Sequence, residues 1–222
     1  ELAGIEIVDT PGMNDPVVSR TDKTRTYMAQ CDVVFFLSPS GRLLDDSDQQ
    51  LLAAQLPAKG VKRLVLVASQ FDAAILDNGY DRASLQDCET RLRQRLGDHA
   101  RRNLDPLARQ REQQGFPDVA ALLRSIGAPL FASTYAQALA RLPADQWSKG
   151  QRHVHQQFIE LAEDAWNGAA PEPADWMRIG GFAGLEAALA QARADKEAIL
   201  ATQRARLESE LEDARQRLLD NL

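Results

Sequence analysis

Two continuous apolar runs, Asp32 to Ser38 (Asp-Val-Val-Phe-Phe-Leu-Ser) and Arg63 to Ser69 (Arg-Leu-Val-Leu-Val-Ala-Ser), limit what this chain can fold into. Neither alternates polar with apolar residues, so neither suits a sheet with one wet face. Both suit strands of a parallel sheet covered on its two sides. A further apolar piece, Ile5 to Val8, comes before them, and helical-looking segments separate the runs. The order reads strand, helix, strand, helix, strand. That is an α/β class, in which ligands are expected at the carboxyl ends of the strands.

The strand ends carry the polar residues. Ile5 to Gly12 reads Ile-Glu-Ile-Val-Asp-Thr-Pro-Gly. An Asp-x-x-Gly after a strand is how many nucleotide switches place a carboxylate near Mg²⁺ and a backbone N–H near a terminal phosphate. Asp9 would then hold the metal through water, and Gly12 would let the backbone approach because it lacks a Cβ. Thr10 and Pro11 would shape the turn. The same four residues also suit an ordinary strand-to-turn exit. The Arg63 run ends in Ser69-Gln70-Phe71-Asp72, and a later piece, Pro129-Leu130-Phe131, ends in Ala132-Ser133-Thr134. Gln-Phe-Asp after a strand also suits a helix N-cap.

In this order the chain resembles the translation-factor-related GTPases, and within them the bacterial dynamin-like proteins. Asp9-Thr10-Pro11-Gly12 matches their third nucleotide motif. Ser69-Gln70-Phe71-Asp72 looks like a variant of the fourth, Asn/Thr-Lys-x-Asp, and Ala132-Ser133-Thr134 sits where the fifth belongs. Asp9 to Arg20, Cys31 to Ser38 and Ser69 to Asp72 are similar to the LeoA-type branch. The likeness covers the first third well and the remainder loosely. It implies a partial P-loop GTPase-type, mostly parallel sheet with GTP or GDP as ligand and Mg²⁺ as cofactor. Asp9, Thr10, Pro11, Gly12, Ser69, Gln70, Asp72, Ser133 and Thr134 would line the nucleotide site, with Asp9 toward the metal. Asp72 would accept hydrogen bonds from N1–H and the exocyclic amine of guanine, and leaving that carboxylate unpaired would reject ATP. Ser69 and Gln70 depart from the usual Asn and Lys, so guanine selectivity rests mainly on Asp72.

Two departures bear on catalysis, and no catalytic residue is assigned. Met13 follows the motif glycine where small GTPases carry a water-orienting Gln, and a thioether cannot polarise water. In dynamin-like proteins upstream switch residues and pairing of two GTPase domains supply that function, so a homodimer through the nucleotide face is expected. No Gly-x-x-x-x-Gly-Lys-Ser/Thr occurs, since Lys23, Lys59, Lys62, Lys149 and Lys196 all lack the preceding glycines. The simplest expectation is a fragment that lacks its phosphate cradle, neither hydrolyses GTP nor folds well alone, and exposes unpaired strand edges.

The expected organisation is a GTPase-domain part over residues 1–194, with helical insertions at about 80–126 and 136–178, and the start of a helical neck over 195–222. Arg82 to Gln114 reads as helix broken near Asp105-Pro106. Trp147, Trp166 and Trp176 read as a satellite core. From Gly184 to Leu222 apolar residues keep a four-three-like spacing, enough helix to reach roughly 55 to 60 Å. In dynamin-like proteins such a helix leads into a neck, and an ordinary oligomerising coiled coil would look the same. His153 and His155 diverge on a helix and no cysteine completes a metal set. His99 reads as helix surface.

With 26 basic against 32 acidic residues, net charge −6 disfavours nucleic acid as a partner. Two cysteines, Cys31 and Cys88, suggest reduced thiols. No apolar run approaches the ~20 residues of a membrane span, so any membrane contact would be peripheral. A cytoplasmic location is expected, with the inner membrane face as the place of such contact. The rival expectation is a non-catalytic helical interaction or scaffold module on a degenerate GTPase sheet.

Overall fold

A computed structural model describes residues 6–8, 28, 31–56 and 61–197. The chain divides into two compact units, Glu1–Leu185 and Glu186–Leu222. In the first, three parallel strands lie in chain order, β1 (Val33–Pro39), β2 (Arg63–Ser69) and β3 (Leu130–Phe131). Val33 pairs with Arg63 and Pro39 with Ser69, so the first two strands end level with each other. Val67 and Ala68 pair with Leu130 and Phe131, which brings the third strand to the same end. Parallel pairing requires crossovers. Helix α1 (Asp46–Gln55) returns the chain from β1 to β2, and α2 (Phe71–Asn78), α3 (Leu85–Gln113) and α4 (Pro117–Arg124) return it to β3.

β2 is the buried centre, with Leu64, Leu66, Val67 and Ala68 out of contact with water. β1 has the sequence of an interior strand, yet among the described residues it pairs only with β2, leaving Val33 to Phe36 half-buried and Leu37 63% exposed. The apolar piece before Asp9 does not appear as a strand in its described part: Glu6, Ile7 and Val8 have no regular structure, and Ile7 is 68% exposed. An apolar run becomes a strand only when a neighbour accepts its backbone groups, and these three residues have no ladder partner among the described residues.

Helix α3 runs unbroken through Pro106 for 29 residues, correcting the expected break near Asp105-Pro106. Its buried stripe, Leu85, Cys88, Leu92, Leu96, Ala100, Leu104 and Leu107, continues on both sides of the proline. Burial of Leu104 and Leu107, at about 1.5–3 kcal/mol each, offsets the ~3 kcal/mol a proline costs in a helix interior. Pro106 and Arg102, whose carbonyl loses its N–H partner, both lie on the exposed side of the helix.

Helices α5 (Thr134–Arg141), α6 (Lys149–Ala165) and α7 (Pro173–Gly180) follow β3. Ser148 and Gln151 form a capping box that starts α6. The tryptophans are not a satellite. Trp166 and Trp176 flank Phe158 at centroid distances of 6.4 and 4.8 Å, and all three belong to the cluster that holds Phe71 and Ile75. Trp166 Nε1 donates to the Gly79 carbonyl at 3.1 Å, fastening α6 to the end of α2. His99 is not simple helix surface either: it is half-buried, with Nε2 2.8 Å from the Leu43 carbonyl. Neither cysteine is in a disulfide among the described residues; Cys88 is buried and Cys31 half-buried.

Gly181 ends α7 in the left-handed region at φ 70°, and a Cβ there would lie 1.8 Å from the Phe131 carbonyl oxygen. Only glycine fits that approach. Residues 182–185 are helical at the end of the first unit; in the second unit 186–197 are helical, with Gln191 to Asp195 and Arg193 to Glu197 pairs. The expected continuation to Leu222 lies outside the described residues. Among the described residues no helix is long and apolar enough to cross a membrane.

Candidate functional site

The level strand ends bring the expected base-side residues together. Ser69 closes β2, and Gln70 turns the chain into α2 with φ 53° and ψ 42°, a left-handed conformation uncommon outside glycine. Phe71 donates its N–H to the Ala132 carbonyl at 3.1 Å, and Ala132 donates to the Ala68 carbonyl at 3.0 Å. The 69–72 turn and the 132–134 turn are thereby stitched edge to edge. Ser40, after β1, donates its hydroxyl to the Ser69 carbonyl at 2.7 Å, so all three strand exits are tied.

Asp72 stands in the first turn of α2 and is only 6% exposed. Among the described residues its carboxylate accepts no hydrogen bond and forms no ion pair, while its backbone is held through Phe71. Its oxygens keep some contact with water at the strand exit. The first turn of α2 favours a negative charge there. A carboxylate so placed can accept paired N–H donors.

Ser133 and Thr134 have different fates. Ser133 is 2% exposed, and its hydroxyl accepts the Ala136 N–H at 3.0 Å as the cap of α5. Its backbone N–H donates to the Gly180 carbonyl at 3.1 Å. With its hydroxyl committed to the helix, Ser133 shapes the loop beside Asp72. Thr134 is exposed at the rim, and so is Gln70. Asp9, Thr10, Pro11 and Gly12 lie outside the described residues, so the metal and phosphate side has no geometry here. Among the described residues no group of three or more acidic, histidine or cysteine side chains could hold a metal ion.

A cleft of about 850 Å³ lies elsewhere, lined by Ser40, Arg42, Asp77, Arg95, His99 and Asn103 among others. It touches none of Ser69, Asp72, Ser133 or Thr134. Its three arginines are balanced by three aspartates, which selects no ligand charge. Nearby, Ser38 is fully buried, donates to Asp48 at 2.5 Å and accepts the Leu44 N–H at 2.9 Å. Burial pushes the Asp48 carboxyl up from its ordinary range.

Sequence reasoning missed Ser40 and Arg93. Ser40 stood in a recognisable polar strand exit, Ser38-Pro39-Ser40. Arg93, whose guanidinium lies against Phe71 and Phe131, is one of many arginines on a charged helix, and nothing in its local pattern marks it.

Three parallel strands thus end level, with Asp72 and the Ser133 turn at their exits. Residues 1–70 match the model of the Dynamin family. No match to the chain was found among curated proteins or solved structures. The matched stretch contains Asp9 to Gly12, β1 and β2 as far as Gln70. Asp72 and Ser133 lie beyond it.

Proposed function

We propose that this chain forms the base-binding side of a bacterial dynamin-like GTPase of the LeoA type. The observation that carries the reading is Asp72, nearly buried and without a partner among the described residues, at a strand exit fixed to the Ser133 turn. The carboxylate would accept from N1–H and the exocyclic amine of guanine. Adenine offers no such donor pair on that edge, so ATP would leave the charge unsatisfied. The exposed Gln70 would lie over the base, and Ser69 and Ser133 would hold the flanking turns. Asp9 would reach Mg²⁺ through water, and Gly12 would serve the terminal phosphate.

Hydrolysis needs groups beyond these. Met13 cannot orient water, and the 222 residues contain no phosphate-cradle motif, so these residues alone would be inactive. In the intact protein, pairing through the nucleotide face would complete the site, turnover would rise with protein concentration, and motion would pass to a helical neck acting peripherally on a membrane from the cytoplasm. The deciding experiment titrates the full-length protein with fluorescent GTP and ATP analogues in Mg²⁺. Tight GTP with weak ATP binding, lost in Asp72→Ala, supports the reading. Binding of neither nucleotide overturns it and favours the scaffold module, which would keep its activity in Asp72→Ala.

A further inference from the structure

Arg93 joins the pieces that hold the base-side turn. Its guanidinium carbon lies 4.7 Å from the ring centroid of Phe71 and 4.7 Å from that of Phe131, and the two rings are 4.8 Å apart. Phe71 immediately precedes Asp72, and Phe131 ends β3 just before Ala132 and Ser133. The same guanidinium donates Nη2 to the Arg178 carbonyl at 3.3 Å and stands 3.6 Å from Glu89. Two residues after Arg178, Gly180 accepts the Ser133 N–H. One planar cation therefore touches the residue before Asp72, the strand that leads to Ser133, and the helix end that holds Ser133.

Packing alone would be served by Leu or Met, without the cost of removing a charge from water. A fork that stacks on two rings while bonding a carbonyl fixes orientation, which a flexible apolar chain cannot do. Asp72 needs that service, since no hydrogen bond among the described residues fixes its carboxylate and recognition through two paired donors tolerates little displacement.

We propose that Arg93 is a positioning residue for base recognition, clamping Phe71 against Phe131 so that the Asp72 carboxylate meets the exocyclic amine of guanine. The inference rests on the guanine-site reading and deepens it. The test compares GTP with inosine triphosphate, which lacks that amine, on the full-length protein and on Arg93→Lys, with thermal unfolding of each. Lysine keeps the charge near Glu89 and loses the planar stack, so the variant stays foldable where Arg93→Ala risks collapse of the site. The expected result is a GTP-over-inosine-triphosphate affinity ratio reduced roughly tenfold, with inosine triphosphate affinity changed far less. An unchanged ratio in Arg93→Lys, whatever its melting temperature, overturns the proposal while leaving the guanine site standing. Wild-type protein that binds no guanine nucleotide, or does not prefer GTP, overturns both.

Discussion

Arg178 grips Glu89 across 89 positions of chain, with Nε 2.9 Å and Nη2 2.8 Å from the two carboxylate oxygens. The Glu89 side chain is 4% exposed and that of Arg178 is 44% exposed, so the buried anion depends on a cation that reaches in from the surface. The hydrogen bond to Glu89 raises the Arg178 pKa, while burial lowers that of Arg93. Arg178→Ala leaves Glu89 with only Arg93 at 3.6 Å. The expected loss is about 2 kcal/mol, below the 3–5 of a fully buried pair because the arginine is half in water. Urea unfolding at constant slope would show it as a lower midpoint, and an unchanged midpoint would mean that water replaces the arginine at no cost.

Asp72→Asn isolates charge from shape. The amide keeps the volume but presents one donor toward a base edge that itself donates, so GTP affinity should fall by roughly a hundredfold while stability holds. Stability has reason to hold, because among the described residues the carboxylate makes no hydrogen bond or ion pair that the change would remove and its oxygens keep contact with water. Calorimetric titration of the full-length protein beside a thermal melt would separate the two. Equal loss of binding and stability would make Asp72 a structural residue.

What could be read beforehand divides along physical lines. The β-branched runs at Val33 and Arg63 identified themselves because a strand covered on both faces needs no partner residue to be recognised. The rim residues Ser69, Asp72 and Ser133 followed from being polar at strand exits. The unbroken helix at Pro106 did not follow, since local chemistry argues for a break and packing of Leu104 and Leu107 decides against it. Ser133 could be placed but its hydroxyl's use could not, because capping depends on where α5 starts. Arg93 was invisible because its partners, Phe71, Phe131 and Arg178, are distant in sequence.

Pro106→Ala should stabilise the protein. Alanine restores an N–H to the Arg102 carbonyl on the exposed side of α3, a gain reduced by the greater freedom of the unfolded chain. A net increase of about 1 kcal/mol is expected from denaturant unfolding. A decrease would show that the proline sets a bend on which the packing of Leu107 depends.

His155 lies between Trp147 at 4.9 Å and Trp176 at 5.9 Å, and burial lowers its pKa. A base depressed in the folded state binds fewer protons there than when unfolded. Its contribution is therefore full above the ordinary histidine value of about 6.5 and is lost as pH falls through the folded pKa. His155→Gln should flatten the stability curve in that window and leave the remaining pH dependence unchanged. Melting temperatures between pH 5 and 7.5 would show it, and parallel curves for the two proteins would remove His155 from the account.

Two glycines should respond in opposite directions to the same substitution. Gly97, inside α3, has nothing beyond its own stretch of helix within 4 Å of where a Cβ would stand, so Gly97→Ala lowers the entropy of the unfolded chain with no steric cost. It should stabilise by roughly 0.5–1 kcal/mol. Gly181 stands at φ 70°, with the Phe131 carbonyl oxygen 1.8 Å from the new methyl. Gly181→Ala must push the turn away from β3, at a cost of about 2–4 kcal/mol. That displacement acts on the neighbouring Gly180 carbonyl, which holds the Ser133 N–H beside the proposed base site. At temperatures where the variant is still folded, guanine nucleotide affinity should therefore fall in Gly181→Ala and not in Gly97→Ala. If Gly181→Ala lost stability but bound GTP as tightly as the wild type, the turn at 180–181 would support the fold without setting the position of the Ser133 loop.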